Sequence, residues 1–351
     1  MKAIYKSEPK EGAEIRENVD IPKPKEDQVL IKVEKAGICG TDIHIYKWDT
    51  WAQNRMSKSI PLIFGHEVAG KVVEIGKNVS SVQEGDLVSA ETHVACGKCY
   101  HCKTNKKNIC KYTQILGVDI NGIFADYAIL TEENVWVNDS NLDPNIAAVL
   151  EPIGNAVHTA LPENNIEDIA GKTITITGCG PIGLYAIALV KQLGADKVIA
   201  TEVNPLRIDL AKKMGADLVI NPMEEDVIKT SLDFTDNIGT DVLLEMSGYG
   251  PALVQGLKIL TPGGRVSLLG LFSGETSIDL TNLIVFKSAR VFGISGRRMF
   301  QTWYQVKGLL RNPNFRSKIN QVVTHEIPLK QLDQAMEKLL GNKAAKIVLT
   351  P

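Results

Sequence analysis

The middle of the chain alternates between short β-branched runs and longer apolar stretches. Residues 173–177 read TITIT, which predicts a strand, and the apolar stretch LYAIALVKQLGA that follows predicts a helix. The alternation continues with strands KVIATE, GADLVINP and GTDVLLEMSG, helices EEDVIKTSLDFT and PALVQGLKIL, and strands GGRVSLLGL and ARVFGISG. Because strands separated by helices of roughly 10 to 15 residues form parallel sheets, this region predicts a doubly wound, Rossmann-type α/β sheet.

Residues 1–150 follow a different pattern. Short strand-like runs are separated by glycine turns at EIGKNV and QEGD, which is typical of an antiparallel barrel. The runs are QVLIKVEKAGIC, HEVAGKVVEIG, GDLVSA and IFADYAIL, and the tail returns to this style with INQVVTHEIPL, a helix LKQLDQAMEKLLG and a strand AAKIVLT. We therefore expect a mostly β domain of residues 1–150 and 298–351, with the α/β domain of residues 151–297 inserted into it.

Length and charge narrow the functional classes. A chain of 351 residues fits two domains. With 44% hydrophobic residues, 23% charged residues and a formal net charge of -2, neither nucleic acid nor an anionic membrane is an expected partner. No apolar run approaches the ~20 residues that span a bilayer, and the stretch MKAIYKSEPKEG lacks the features of a secretion signal. We expect a cytoplasmic protein that acts on small molecules.

A glycine motif joins the first strand of the α/β region to its helix. It reads GCGPIG, and its candidate cofactor contacts are Gly178, Gly180, Pro181, Ile182 and Gly183. The glycines let the backbone approach a pyrophosphate, and the helix N-terminus attracts its charge. The strand KVIATE ends in Glu202, about 20 residues after the motif, where a carboxylate bonds ribose hydroxyls. Glu202 favours NAD over NADP because it repels a 2'-phosphate, whereas Arg207 keeps NADP as an alternative unless it stacks on the adenine or meets the ribose.

Residues that follow the later strands are further candidates for cofactor contacts, because ligands bind at the carboxyl ends of parallel strands. These candidates are Leu269, Gly270, Leu271, Ile294 and Ser295. Ordinary core packing is the alternative explanation for each.

Four of the six cysteines lie close together, at Cys96, Cys99, Cys102 and Cys110. A closed set of four thiolates suits a structural zinc ion, since it leaves no position for a substrate. Disulfides suit a secreted protein better, and a thioredoxin-type motif uses two cysteines. The alternatives are an iron–sulfur cluster, which the lack of a proline after the last cysteine disfavours, and a DNA-binding zinc module, which the near-neutral charge disfavours.

A second set of metal-ligating residue types lies upstream, in GICGTDIH and GHEVAG. Cys39, His66 and Glu67 offer a thiolate, an imidazole and a carboxylate, and Glu151 in AAVLEPIGNAV adds a further carboxylate. A zinc ion held by three protein groups keeps an open position for water or a substrate oxygen. Alone, the cysteine and histidine have ordinary structural explanations, and Glu151 is either near the metal or an acid at the start of a helix.

With these motifs in this order, the chain resembles the zinc-dependent medium-chain dehydrogenases from end to end. The resemblance implies a GroES-like fold for the barrel domain, NAD as cofactor, and two zinc ions per chain, one catalytic and one structural. Longer strings are similar to the members of the family that oxidise L-threonine, namely ICGTDIHIYKWDTWAQNR, ETHVACGKC, GVDINGIFADYA, EPIGNAVHT and GISGRRMFQTWY. For such members the resemblance implies oxidation of the threonine C3 hydroxyl to 2-amino-3-oxobutanoate, and a homotetramer.

The resemblance also implies roles for individual residues. It assigns four of them to the catalytic zinc, with Cys39, His66 and Glu67 as ligands and Glu151 as the nearby acid. Thr41 and His44 match a proton relay, in which Thr41 passes the hydroxyl proton through the cofactor ribose towards His44. His93 matches a residue near the substrate, and an ordinary loop histidine is its alternative.

Two other functions stay open from the sequence. A polyol dehydrogenase acting on 2,3-butanediol or sorbitol uses the same zinc and cofactor, so the pocket alone separates it from a threonine enzyme. A non-catalytic dinucleotide-binding protein is disfavoured because the zinc ligands form a full set. Two strings depart from the family's pattern around the domain junctions, VHTALPENNIEDIAG and GYGPAL.

Overall fold

The structure is a computed structural model that describes residues 1–351, and these residues divide into two units. The strands are β1 (Ala3–Lys6), β2 (Glu14–Arg16), β3 (Gln28–Gly37), β4 (Leu62–Ile63), β5 (Glu67–Ile75), β6 (Leu87–Ala90), β7 (His93–Val94), β8 (Gln114–Ile115), β9 (Tyr127–Thr131), β10 (Val135–Val137), β11 (Thr173–Thr177), β12 (Lys197–Thr201), β13 (Leu218–Ile220), β14 (Thr240–Glu245), β15 (Leu260–Leu268), β16 (Arg290–Gly293), β17 (Val323–Pro328) and β18 (Lys346–Thr350). The helices are α1 (Gly40–Lys47), α2 (Thr50–Met56), α3 (Tyr100–Lys103), α4 (Pro144–Ala148), α5 (Leu150–Ala160), α6 (Pro181–Gln192), α7 (Pro205–Met214), α8 (Val227–Phe234), α9 (Gly250–Ile259), α10 (Gln301–Leu309), α11 (Pro313–Val322) and α12 (Leu332–Leu340).

The first unit comprises Met1–Glu151 and Val323–Pro351 and is mostly β-structure. Its main sheet has the order β10-β6-β5-β3-β18-β17, and β9 pairs with β3. All of these pairs are antiparallel except the one between β17 and β18. A large apolar core lies in this unit and includes Ile31, Phe64 and Phe124. The predicted mostly β, largely antiparallel structure is therefore confirmed, and its last strands come from the tail of the chain.

The second unit, Pro152–Val322, contains a six-stranded parallel sheet of order β13-β12-β11-β14-β15-β16. This is the order of a doubly wound dinucleotide fold, and it confirms the predicted fold class. In the register of the sheet, Thr177 lies opposite both Thr201 and Glu245. The carboxyl ends of the central strands therefore lie at one edge of the sheet, where each chain segment leaves its strand.

The second unit extends beyond the predicted boundary at residue 297, because α10 and α11 belong to it. Helix α11 packs on α6 and α7 and buries Phe315 and Ile319. The run INQVV predicts a strand, and for residues 319–322 this prediction is wrong, because they belong to α11. Asn312 accepts a hydrogen bond from the backbone N–H of Asn314 at 2.9 Å and Pro313 opens the helix, which is a helix-start signal that the β-branched run conceals.

The two strings that depart from the family's pattern form regular helices and turns. In GYGPAL, α9 begins at Gly250 and Pro251 occupies its first turn, where the missing N–H of proline costs no hydrogen bond. In the longer string, α5 ends at Ala160 and a short 3-10 turn, Ile166–Asp168, leads into β11. None of the helices has the length and apolar character needed to cross a bilayer.

Candidate active site and cofactor site

The three residues of the predicted open metal site meet where β3 and β5 pair. Gly37, at the end of β3, lies opposite Glu67, the first residue of β5. Cys39 follows β3 as the N-cap residue of α1, and His66 directly precedes β5. The ligand atoms of Cys39, His66 and Glu67 all lie within 4.8 Å of one another, and His66 and Glu67 are buried. The strand pairing thus brings together residues that are 27 positions apart.

An anionic side chain, Asp42, lies beside Cys39 and His66. The carboxylate of Asp42 accepts a hydrogen bond from the backbone N–H of Cys39 at 2.8 Å and lies 3.6 Å from Nδ1 of His66. Burial acts to lower the pKa of His66, but the charges of Asp42 and Cys39 raise it to about 10. A carboxylate behind a ligating histidine is the usual way to orient the ring towards a metal. The trio is therefore a site that favours a cation.

Lys346, on β18, is the charged partner of Glu67. Its ammonium forms a buried ion pair with Oε2 of Glu67 and donates to the carbonyl of Ile38 at 2.7 Å. Burial raises the pKa of Glu67. Oε1 of Glu67 is buried without a hydrogen-bond partner, so it is the oxygen available to a metal. An unpartnered buried oxygen next to a thiol and an imidazole fits the three-donor set of a catalytic zinc site.

Glu151 lies beside the trio, in the first turn of α5. It is buried, and its carboxylate accepts a hydrogen bond from the hydroxyl of Thr92 at 3.4 Å. Its charge acts on both His66 and Glu67. Glu151 is outside the set of three residues whose ligand atoms come within 4.8 Å. Glu151 therefore lies next to the candidate metal site, and Cys39, His66 and Glu67 form a set of three donors that does not include it.

The predicted relay residues lie on α1, three positions apart, and thus on neighbouring turns of one helix face. The hydroxyl of Thr41 is 3.9 Å from Sγ of Cys39. Nδ1 of His44 forms a close hydrogen bond with Oδ2 of Asp49, and the His44 side chain is 53% exposed. His93, at the start of β7, contacts the carboxylate of Glu91, with Nδ1 at 3.3 Å.

The four cysteines of the loop form a compact cage. Sγ of Cys99 is 3.5 Å from Sγ of Cys102 and 3.8 Å from Sγ of Cys110, and all four sulfur atoms lie within 4.8 Å of one another. Four thiolates at ~2.3 Å from a tetrahedral zinc ion are separated by about 3.8 Å, so the cage fits zinc. The same distances exclude disulfides, whose sulfurs are ~2.05 Å apart. All six cysteines are free thiols.

The glycine motif follows β11 and opens α6. Gly178 has a φ of 86°, and a Cβ there would meet Cα of Ser247 at 2.8 Å. A Cβ on Gly183 would meet the carbonyl oxygen of Gly178 at 2.1 Å, whereas one on Gly180 would meet nothing within 4 Å. The first and third glycines thus allow the tight turn and close packing, and the open face at Gly180 suits approach of a pyrophosphate. Pro181 is the first residue of α6 and Ile182 is the second.

Glu202 directly follows β12 and holds the glycine loop. Its carboxylate accepts hydrogen bonds from the backbone N–H groups of Cys179 at 2.9 Å, Val203 at 2.8 Å and Asn204 at 2.9 Å. Arg207 lies in the first turn of α7, and its backbone N–H donates to the capping side chain of Asn204. Glu202 and Arg207 thus follow the strand next to the glycine loop.

The remaining cofactor candidates follow β15 and β16. The backbone N–H groups of Leu269 and Gly270 donate to the carbonyl of Glu245, and that of Ile294 donates to the carbonyl of Leu268. Leu271 is 86% exposed. These residues, with Ser295 next to Ile294, lie at the carboxyl edge of the sheet, as their positions after strands predict.

Comparisons with known proteins agree with this arrangement. The sequence pattern of the alcohol dehydrogenase GroES-like domain matches residues 25–139, and that of zinc-binding dehydrogenases matches residues 181–312. The L-threonine 3-dehydrogenase of Pyrococcus furiosus is 50% identical over 99% of this chain and 98% of its own length. The chain belongs to the zinc-dependent medium-chain dehydrogenase family.

Solved structures of other dehydrogenases share the fold of this one. A zinc-binding dehydrogenase from Sinorhizobium meliloti 1021, bound to NADP, matches with a TM-score of 0.89 and 26% identity over 100% of this chain and 99% of that chain. The 2R,3R-butanediol dehydrogenase from Bacillus subtilis matches with a TM-score of 0.86 and 27% identity over the same shares. The expectations of a dehydrogenase, of zinc and of a nicotinamide cofactor are confirmed at the level of the family.

Four residues contact the site residues of this dehydrogenase but are not predicted from the sequence: Asp42, Asp49, Glu245 and Lys346. Asp42 has a signal, since it stands three positions after Cys39 at the start of a helix and a ligating histidine needs a carboxylate. Glu245 ends β14, and its carboxylate accepts from the backbone N–H of Ser247, which packs on Gly178. No local sequence signal predicts the role of Lys346, because only the pairing of β18 with β3 brings it to Glu67.

Proposed function

We propose that the protein oxidises the C3 hydroxyl of L-threonine with NAD+ to give 2-amino-3-oxobutanoate. The observation that carries the proposal is the 50% identity, over nearly the whole of both chains, to the L-threonine 3-dehydrogenase of P. furiosus. The identity to the butanediol dehydrogenase of B. subtilis is 27%. The donor set of Cys39, His66 and Glu67 supports a zinc-dependent oxidation, and it disfavours a non-catalytic role.

The residues of the metal site have separable tasks. A zinc ion at this site supplies Lewis acidity, which lowers the pKa of a bound hydroxyl group. The negative charge of Asp42 acts on His66, and Lys346 offsets the charge of one Glu67 oxygen, so that the other oxygen is presented as a donor. Burial of Glu67 and His66 keeps water away from the donors.

The reaction separates a hydride from a proton. The glycine loop would hold NAD+, which would supply the acceptor for the hydride. Thr41, whose hydroxyl lies 3.9 Å from Sγ of Cys39, takes the proton of the substrate hydroxyl as it releases its own, and the released proton passes towards His44 on the same helix. C3 becomes a ketone, so two electrons leave with the hydride and one proton leaves through the relay.

The preference for NAD+ over NADP+ rests on Glu202. Its carboxylate is fixed by three backbone donors directly after β12, where the adenine ribose lies in folds of this type. A carboxylate at this place accepts bonds from ribose hydroxyls and repels a 2'-phosphate. The structure of the S. meliloti relative contains NADP, so the test must compare NAD+ with NADP+.

The function is tested by following NADH absorbance with purified, zinc-loaded protein. We expect kcat/KM for L-threonine to exceed that for 2,3-butanediol and sorbitol at least tenfold, and NAD+ to be preferred to NADP+. A zinc chelator should abolish the activity, because the three-donor site loses its ion. Faster turnover of 2,3-butanediol than of L-threonine would assign the protein to the polyol dehydrogenases instead.

We also propose that the protein is a cytoplasmic homotetramer. The absence of disulfide bonds among the six cysteines supports a reducing compartment.

Strand β16 is an edge strand of its sheet, and apolar side chains are exposed on it and on the segment before it: Val291, Leu280, Val285 and Phe286. An uncovered edge with apolar neighbours suits pairing with the same strand of a second copy, which supplies one of the interfaces that a homotetramer needs. Light scattering should give the mass of four chains, and a monomer at micromolar concentration would contradict the proposal.

A further inference from the structure

The turn between α1 and α2 brings a carboxylate to His44. Trp48 ends α1 in the left-handed conformation, with a φ of 53°, and Asp49 is the N-cap residue of α2. The two helices are therefore joined by Trp48 and Asp49 alone. The side chain of Gln53 donates to the carbonyl of Trp48 at 2.9 Å, which supports this short turn.

The two carboxylate oxygens of Asp49 serve different partners. Oδ1 accepts from the backbone N–H of Ala52 at 3.1 Å and caps α2, while Oδ2 is bonded to Nδ1 of His44. Burial acts to raise the pKa of Asp49, but the hydrogen bonds from His44 and Ala52 lower it overall. The cap uses one oxygen only, so helix capping does not account for the contact with the histidine.

The contact decides how the imidazole of His44 presents its nitrogens. A carboxylate accepts hydrogen bonds and donates none, so Nδ1 of His44 carries a hydrogen. In the neutral ring the lone pair then lies on Nε2, which is the nitrogen left to accept a proton. The ring of Trp51 lies 6.0 Å from the His44 ring, tilted by 51°, and limits its rotation on one side.

We propose that Asp49 is a positioning residue of the proton relay, which holds His44 with Nδ1 as donor and Nε2 as acceptor. The inference rests on the proposed function, in which His44 receives the substrate proton. When Nε2 takes that proton, the ring becomes an imidazolium whose charge the Asp49 carboxylate stabilises without being protonated itself. The string HIYKWDTW thereby encodes a helix end, a helix cap and a histidine–carboxylate pair within eight residues.

Two variants that preserve the cap separate positioning from capping. Asn and Ser cap helices about as well as Asp, so both Asp49→Asn and Asp49→Ser should fold and show similar melting temperatures. In Asp49→Asn the oxygen remains with the cap and the amide N–H₂ faces His44, which reverses the tautomer; in Asp49→Ser the side chain is too short to reach the ring. We expect kcat to fall on the order of 10- to 100-fold in Asp49→Asn, and less in Asp49→Ser.

A double-mutant cycle with His44→Asn completes the kinetic test. If Asp49 acts through His44, Asp49→Asn should cause no further loss in the His44→Asn background. An equal loss in both backgrounds, or equal losses for the Asn and Ser variants, would show that Asp49 acts only through the helix turn and would overturn the proposal. The cycle uses whichever alcohol the wild-type protein oxidises, so a wrong substrate assignment does not affect it.

A spectroscopic measurement tests the same point without substrate or cofactor. The chain has six histidines, so side-chain ¹⁵N spectra are tractable, and His44→Asn assigns the His44 signals. We expect the Nδ1–H tautomer of His44 in the wild-type protein and the Nε2–H tautomer in Asp49→Asn. An Nε2–H tautomer in the wild-type protein would refute the inference even if threonine oxidation is established.

Discussion

Replacing Cys39 by Ala is expected to lower kcat for alcohol oxidation about 1,000-fold and to remove one of the two zinc ions per chain. The Lewis acidity of a catalytic zinc lowers the activation barrier by several kcal/mol, and about 4 kcal/mol corresponds to this factor. Cys39 is one of three donors within 4.8 Å of one another, and the remaining two leave an incomplete set. Elemental analysis of the purified variant and NADH formation under substrate saturation provide the two measurements.

Cys179→Ala is the matched control for the metal content. Cys179 is buried, and it belongs to neither group of metal-ligating residues, so both zinc ions should remain. The Cys39 variant should also keep its melting temperature within a few degrees, because the first unit has a large apolar core that does not depend on this thiol. Two zinc ions per chain in a fully active Cys39→Ala variant would exclude the trio as the catalytic metal site.

Substitution in the cysteine cage should lower the stability of the protein and leave its catalytic activity largely intact. We expect Cys102→Ser to lose one zinc ion and to lower the melting temperature by roughly 10 °C or more, since structural zinc contributes directly to folding. The loop has little apolar core of its own, because its large hydrophobic side chains, Tyr100, Ile109 and Tyr112, are exposed. Without the ion, three thiols remain packed around an empty centre. Calorimetry and elemental analysis measure both effects.

The catalytic constants of the two variants distinguish the cage from the trio. Cys102→Ser, assayed at a temperature where it is folded, should retain kcat within a fewfold, whereas Cys39→Ala should be stable and inactive. A stable but inactive Cys102→Ser variant would reverse the assignment of the two sites. Closed four-thiolate sites leave no position for a substrate, which is the physical reason for this expectation.

Local sequence signals suffice for most of the fold. The strands β11, β12 and β14 have their predicted places because β-branched runs alternate with apolar helices at regular spacing. The boundary near residue 298 differs, because α11 packs on α6 and this tertiary contact outweighs the strand propensity of INQVV. The signal that predicts the helix correctly is the pair Asn312–Pro313, which stands before the β-branched run.

The candidate site is predictable as far as its donors are encoded in short motifs. Cys39 and His66 stand in recognisable strings, and the cage is defined by its own spacing. Lys346 is not predictable in this way, because its role depends on which strand lies beside β3. Asp49 has a local signal as a helix cap, but its second oxygen finds His44 only because the turn at Trp48 is so short.

The position of Lys346 has a consequence for biosynthesis. Its ammonium contacts the carbonyl of Ile38, 308 positions earlier in the chain. At typical translation rates a ribosome needs roughly 15 to 60 s to add that many residues. During this interval the nascent chain contains Cys39, His66 and Glu67 but lacks the Lys346 ammonium that pairs with Glu67. Maturation of the oxidising centre therefore waits until synthesis has passed through the entire nucleotide-binding segment.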